Sequence, residues 1–124
     1  MKKRILIVDD EEDIIRVLAT QLRERRFDVQ AAIEGQEALT LIRKDPPDLI
    51  ILDIMLPNMD GTQIAAQLKQ NKETAAIPII FLSALQTKEG EMGGEGFDEE
   101  GKNIILAKPY DIDVLVAKIH ELII

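Results

Sequence analysis

Residues 49–53, Leu49-Ile50-Ile51-Leu52-Asp53, are four apolar residues that end abruptly in an acid. A strand buried on both faces reads this way: the apolar run does not alternate, and a polar side chain is delivered only where the strand leaves the sheet. The pattern recurs three times. Ile5-Leu6-Ile7-Val8 runs into Asp9 and Asp10, Pro78-Ile79-Ile80-Phe81-Leu82 into Ser83, and Ile104-Ile105-Leu106-Ala107 into Lys108. If these strands lie parallel, their polar ends gather along one edge, where carboxylates, a hydroxyl and an ammonium describe a site for a divalent cation and a phosphoryl group.

The intervals between the runs supply the helices that a parallel sheet requires. Ile14, Val17, Leu18 and Leu22 recur at helical spacing and define an inward face for a first helix. Phe27 to Ala32 has the short, broken alternation of an edge strand, and Glu37 to Lys44 predicts a second helix with Ala38, Leu41 and Ile42 inward, stopped by Asp45-Pro46-Pro47. After Asp53 comes Ile54-Met55-Leu56-Pro57-Asn58-Met59-Asp60-Gly61, a loop punctuated by Pro, Asn, Asp and Gly. Asp60 or Thr62 caps the next helix, which runs through Ile64, Ala65 and Leu68 to about Lys72. The fourth strand is expected at Ile77 to Leu82 and the fifth at Asn103 to Ala107. Asp111 then caps a last helix with Ile112, Leu115, Val116, Ile119 and Leu122 inward. Strands alternating with helices imply an α/β fold, a doubly wound parallel sheet of five strands with helices on both faces. The interval from Ser83 to Lys108 departs from this plan. Gly90, Gly93, Gly94, Gly96 and Gly101 each cost a helix about 1 kcal/mol relative to alanine, so the fourth helix is expected to be short or disrupted.

A chain of 124 residues makes one domain, residues 1–124, and hides roughly two thirds of its unfolded surface; no output domain is legible in it. The absence of cysteine and the presence of a single histidine, His120, argue against thiol chemistry and a zinc site. His120 itself reads as a surface or partly buried helix residue. The net charge of −8 argues against direct nucleic-acid binding. No apolar stretch approaches the roughly 20 residues of a membrane span, so a cytoplasmic location with no membrane association is expected. Asp9 to Asp13 are five consecutive acids. Helix electrostatics accounts for Glu11, Glu12 and Asp13 in a first turn, but accounts poorly for Asp9 and Asp10.

In an open parallel sheet, ligands bind outside the carboxyl ends of the strands. Two or three converging carboxylates with water suit Mg2+, a hard cation with oxygen ligands, and its charge would keep crowded acids ionised. Lys108 can meet one phosphoryl oxygen and the Ser83 hydroxyl another, which makes Asp53 a plausible nucleophile that forms an acyl phosphate.

Taken together, Ile7-Val8-Asp9-Asp10-Glu11, Leu52-Asp53-Ile54-Met55-Leu56-Pro57-Asn58-Met59-Asp60-Gly61, Leu82-Ser83-Ala84 and Ala107-Lys108-Pro109-Tyr110 resemble the receiver domain of two-component response regulators across essentially the whole chain. The resemblance implies the flavodoxin-like strand order 2-1-3-4-5. It implies that Asp53 is the phosphoacceptor, taking a phosphoryl group from the phosphohistidine of a histidine kinase or histidine phosphotransfer protein. By the same resemblance Asp10 and Asp53 are side-chain ligands of Mg2+, the Met55 backbone carbonyl is a further ligand, and Asp9 acts through water. Ser83 is then the switch hydroxyl, Lys108 the lysine that binds the phosphoryl group, and Lys108-Pro109 a cis bond. The partners implied are that donor, a downstream protein and, on the face of the fourth helix and fifth strand, a second copy of the chain. The chain is thus expected to be a signalling switch that promotes its own phosphorylation and dephosphorylation, and not a turnover enzyme.

Two features depart from the family. Ile105 stands three residues before Lys108, where Tyr or Phe is frequent, and the glycine-rich segment lengthens the interval after Ser83. Met55 and Leu85 flank the acceptor where polar groups orient attacking water, so loss of the phosphoryl group is expected to be slow. A rival reading is an aspartyl-phosphate phosphatase of the haloacid dehalogenase type, which needs a second Asp two residues after the nucleophile as general acid; Met55 occupies that position. Another is a phosphorylation-independent, receiver-like binding module, whose usual mark is loss of an acidic residue, the acceptor or the lysine, all of which this chain keeps.

Overall fold

The computed structural model describes residues 2–57, 59–83 and 104–124, and the backbone alone of 95–97 and 103. The apolar runs form β1 (Arg4–Val8), β3 (Leu49–Asp53), β4 (Ile79–Ser83) and β6 (Asn103–Ala107), with β2 (Asp28–Ala32) between the first two. These five strands are parallel and lie in the spatial order β2-β1-β3-β4-β6, the order that the resemblance implied. Every residue of β3 and β4 is buried, which is why neither run alternates: both faces are covered. At the edge, β2 shows the mixed exposure that its broken pattern predicted.

Successive residues of each strand serve opposite layers. Ile5, Ile7, Leu49 and Ile51 pack beneath α1 (Glu12–Glu24) and α4 (Ile112–Ile123) with Leu18, Leu22, Leu115 and Ile119. Leu6, Val8, Ile50 and Leu52 pack beneath α2 (Gly35–Lys44) and α3 (Gly61–Lys69) with Leu39, Ile42, Ile64 and Leu68. Burying a Leu or Ile fully stabilises the fold by about 1.5–3 kcal/mol each, so these two apolar layers hold the strand ends in register.

Several local expectations need correction. Val17 is 52% exposed; the stripe of α1 that reaches the sheet is Leu18, Ala19 and Leu22 with Ile15 beside it, rotated away from Val17. In α2 the fully buried leucine is Leu39, while Leu41 is only partly covered. The third helix stops at Lys69 instead of Lys72, because the buried Thr74 hydroxyl donates to the Leu68 carbonyl at 2.6 Å and turns the chain back. The sheet also gains a sixth strand, β5 (Glu95–Phe97), which pairs antiparallel with β6 through Gly96 opposite Ile105. The expected short or disrupted fourth helix falls on residues that, apart from 95–97 and 103, lie outside those described.

The end of α1 is closed by backbone alone. The Arg26 N–H donates to the Arg23 carbonyl at 3.0 Å and the Phe27 N–H to the Leu22 carbonyl at 3.2 Å, a Schellman closure. Arg26 occupies its left-handed position with φ of 71°.

Candidate functional site

The sheet edge where β1, β3, β4 and β6 end brings the four reactive segments together. Asp53 is the last residue of β3, Ser83 the last of β4, and Lys108 follows β6 directly. Asp9 and Asp10 follow β1. Register fixes their relative heights: Asp53 lies opposite Leu82, and Ser83 opposite Ala107. The Lys108 N–H donates to the Ser83 carbonyl at 2.8 Å, which ties the turn after β6 to the end of β4. The Lys108–Pro109 peptide is cis.

Asp9, Asp10 and Asp53 each offer a carboxylate oxygen within 4.8 Å of the others. Asp9 and Asp53 are buried and Asp10 is exposed. Asp9 has two tasks: one oxygen accepts the Glu11 N–H at 2.9 Å at the entry to α1, and the other accepts from Lys108 Nζ at 3.1 Å. Lys108 Nζ also donates to Asp53 Oδ2 at 3.3 Å, so a single ammonium bridges the two buried carboxylates. The remaining Asp53 oxygen accepts the Met55 N–H at 3.0 Å.

The electrostatics follow from this packing. Burial pushes the Asp53 carboxyl above its ordinary value; the Met55 N–H and the Lys108 charge pull the other way, and the nearby Asp9 charge adds to the rise. Burial alone would pull Lys108 down, but the hydrogen bond and charge of Asp9, followed by those of Asp53, hold it above the usual lysine value. Three carboxylates and one ammonium leave a net negative pocket whose donors are all hard oxygens. That donor set fits a divalent cation such as Mg2+.

The loop after β3 is pinned at both ends. Asp60 rather than Thr62 caps α3: its carboxylate accepts the Thr62 N–H at 2.7 Å, and the Asp60 N–H in turn donates to Gln63 Oε1 at 3.0 Å. Gly61 N–H donates to the Ile54 carbonyl at 2.9 Å. A Cβ on Gly61 would stand 2.6 Å from the Asp53 carbonyl oxygen and 3.0 Å from Ile54 Cα. Glycine is therefore what lets α3 begin against the acceptor strand. In the sequence Gly61 is visible only as loop punctuation, since close backbone approach leaves no other mark.

His120 lies on the exposed side of α4, edge-on to Phe27 with ring centroids 6.1 Å apart, well away from the acidic edge in chain position. Ile105 is half-buried against the layer of α2 and α3.

Comparison with known proteins places this arrangement. Residues 5–120 match the family described as response regulator receiver domain. The chain is 36% identical over 122 residues to response regulator PleD of Caulobacter vibrioides, covering 98% of this chain and 26% of that protein. It is 38% identical over 123 residues to transcriptional regulatory protein SrrA of Staphylococcus aureus, covering 99% of this chain and 48% of that one. The chain thus spans between a quarter and half the length of these curated relatives. Among solved structures, a putative response regulator from Chloroflexus aurantiacus superposes with a TM-score of 0.86 at 31% identity, covering 99% of this chain and 98% of that one. Chemotaxis response regulator CheY4 of Vibrio cholerae shares the fold, with a TM-score of 0.81 at 24% identity over 98% and 99% of the two chains. With the strand order, the acidic edge and these matches in agreement, the chain belongs to the response regulator receiver domains of two-component systems.

Proposed function

We propose that this domain is a phosphorylation-controlled switch in which Asp53 accepts a phosphoryl group from the phosphohistidine of a histidine kinase or histidine phosphotransfer protein. The observation that carries the reading is the convergence of Asp53 with Lys108 Nζ at 3.3 Å and with the carboxylates of Asp9 and Asp10 within 4.8 Å. An Asp53 carboxylate oxygen forms the new bond to phosphorus as the donor's nitrogen–phosphorus bond breaks, and the electron pair of that bond stays on the imidazole nitrogen. Lys108, already aimed at Asp53, meets an oxygen of the incoming group, and the Ser83 hydroxyl donates to another. Asp10 and Asp53, with the Met55 carbonyl, are the residues that would hold Mg2+, with Asp9 acting through water. When bound, the ion supplies charge neutralisation for the phosphoryl oxygens.

A donor protein must reach the open end of the sheet. Beside Lys108, a cavity of about 480 Å³ is lined by Ile14, Val17, Pro109 and Tyr110, and the exposed Val17 gives a partner apolar surface next to the acceptor. Phosphorylation then shifts the population toward the state in which Ser83 and Lys108 engage the phosphoryl group, and a downstream protein or a second copy of the chain reads the change. No helix among the described residues is long and apolar enough to cross a membrane.

The test is incubation with acetyl phosphate and magnesium chloride, read by intact mass. The wild-type chain gains the mass of one phosphoryl group, whereas Asp53→Asn, or wild-type protein in excess EDTA, does not. Equal gain in Asp53→Asn would sink the assignment.

A further inference from the structure

The end of the sheet opposite the acidic edge carries a local cluster of basic side chains. Lys2 and Lys3 ahead of β1, Arg25 and Arg26 behind α1, and His120 on α4 surround a cavity of about 450 Å³ whose walls include Phe27 and Ile124. The chain has a net charge of −8 and only 15 Lys and Arg, so four of them at one notch is a concentration that composition does not predict. Arg25 is paired with Asp113 at 2.9 Å. Among the described residues the side chains of Lys2, Lys3 and Arg26 have no ion pair.

Two observations separate this cluster from ordinary surface charge. The helix dipole accounts for cations in the last turn of α1, such as Arg23, but not for Lys2 and Lys3, which precede a strand. Arg26 also occupies the left-handed position of the Schellman closure, φ 71°, which glycine takes without steric cost. An arginine there keeps a guanidinium at the lip of the cavity at the expense of backbone ease, and strain of this kind is a pointer to function.

We propose that this notch binds a short acidic peptide segment of a protein partner, with Lys2, Lys3 and Arg26 pairing its carboxylates. The surroundings set the length of the ligand. Asp28, Asp45 and Asp48 lie at the same end of the sheet, clustered around Arg4, which takes ion pairs from Asp28 and Asp45 and whose backbone N–H donates to Asp48. An extended polyanion, such as nucleic acid or an anionic membrane, would meet these acids beyond the notch, whereas a short segment would not.

The experiment titrates the whole chain with hexaglutamate at low ionic strength, following backbone amide shifts and calorimetric heat, with hexaserine as control. Hexaglutamate, and not hexaserine, is expected to move the amides of Lys3, Arg26 and His120. The double reversal Lys3→Glu with Arg26→Glu should weaken binding by about tenfold or more. Arg26→Gly should weaken it by about threefold while leaving the melting temperature equal or higher, which separates loss of the guanidinium from loss of the fold. Absence of binding, binding unchanged in both variants, or capture by phosphatidylserine vesicles with none by hexaglutamate would each overturn the proposal.

Discussion

Gly61 packs so closely on Asp53 that a methyl group on its α-carbon would come within 2.6 Å of the Asp53 carbonyl oxygen. The first turn of α3 therefore sets the height of the β3 end, and Gly61→Ala must move backbone, since neither atom in the clash belongs to a flexible side chain. We expect this variant to fold with a loss of about 1–3 kcal/mol, and to be phosphorylated by acetyl phosphate at least about tenfold more slowly, a displacement of 1 Å near reacting groups being enough for such a loss. Denaturant unfolding and the rate of mass gain measure the two effects. A rate equal to wild type would show that the contact does not position Asp53.

Lys108 is the counter-charge of two buried carboxylates. Lys108→Ala leaves Asp9 and Asp53 facing each other without it, and should lower stability at neutral pH by about 1–3 kcal/mol. Lys108→Met keeps the packing of the stem but also removes the charge, so it should recover little of that loss. Both variants should also lose coupling between Asp53 modification and any conformational change, read as amide shifts that stay at the ends of β3 and β4 instead of extending along β6. Full stability of Lys108→Met at pH 7 would contradict the bridging role.

Asp53 is held in a place that disfavours its charge. Its folded pKa lies above the ordinary aspartate value of 3.8, chiefly through burial. The native state is favoured by this group while it is protonated, and that contribution is lost as the pH rises through the folded pKa. Without divalent cations, Asp53→Asn should therefore melt higher than wild type at pH 7, with the gap closing as the pH falls toward 3.8. Magnesium should reverse the order. A ligand at a hundredfold excess over its Kd stabilises the native state by about 2.7 kcal/mol, a gain expected for wild type and largely absent from Asp10→Asn and Asp53→Asn. Equal magnesium shifts in all three chains would remove the acidic cluster as the cation site.

How much of this was legible in the sequence depended on whether the signal was chemical or geometric. The apolar runs that end at Asp9, Asp53, Ser83 and Lys108 carried the strands and their common edge, because burial on both faces leaves only strand ends for polar groups. Asp111 as a cap was equally readable, and its carboxylate accepts the Asp113 N–H at 2.8 Å. Val17 was misplaced because periodicity alone does not say where around α1 the covered stripe is centred, and the sheet takes Leu18, Ala19 and Leu22. The early stop of α3 depends on the Thr74 hydroxyl reaching back six residues, a contact that spacing does not encode. β5 went unseen since three residues among glycines make no strand signal. Asp9 holds both Lys108 and the entry to α1, contacts that the sequence does not carry because adjacent acids do not reveal which one turns inward.

Tyr110 offers a spectroscopic check on the packing beside Lys108, being the chain's single tyrosine. Its hydroxyl donates to Gln21 Oε1 at 3.0 Å. Burial pushes its pKa above 10.0, with the Lys108 charge pulling down less strongly. Absorbance titration should place phenolate formation above that value. The stability this group contributes is fully present below the unfolded value near 10 and is lost as the pH climbs through the folded value, a decline that Tyr110→Phe should remove. A midpoint at or below 10.0 would contradict the packing of Tyr110 against α1.

The central claim is that Asp53 itself becomes the acyl phosphate. Borohydride reduces an acyl phosphate to the alcohol and leaves free carboxylates untouched, so treating phosphorylated protein with borohydride and sequencing its peptides by mass spectrometry reads the modified position directly. The account predicts homoserine at position 53, dependent on both magnesium and phosphodonor, with Asp9, Asp10 and Asp60 unchanged. Reduction at any of those residues instead of Asp53, or phosphoryl gain with no reducible aspartate, would contradict it.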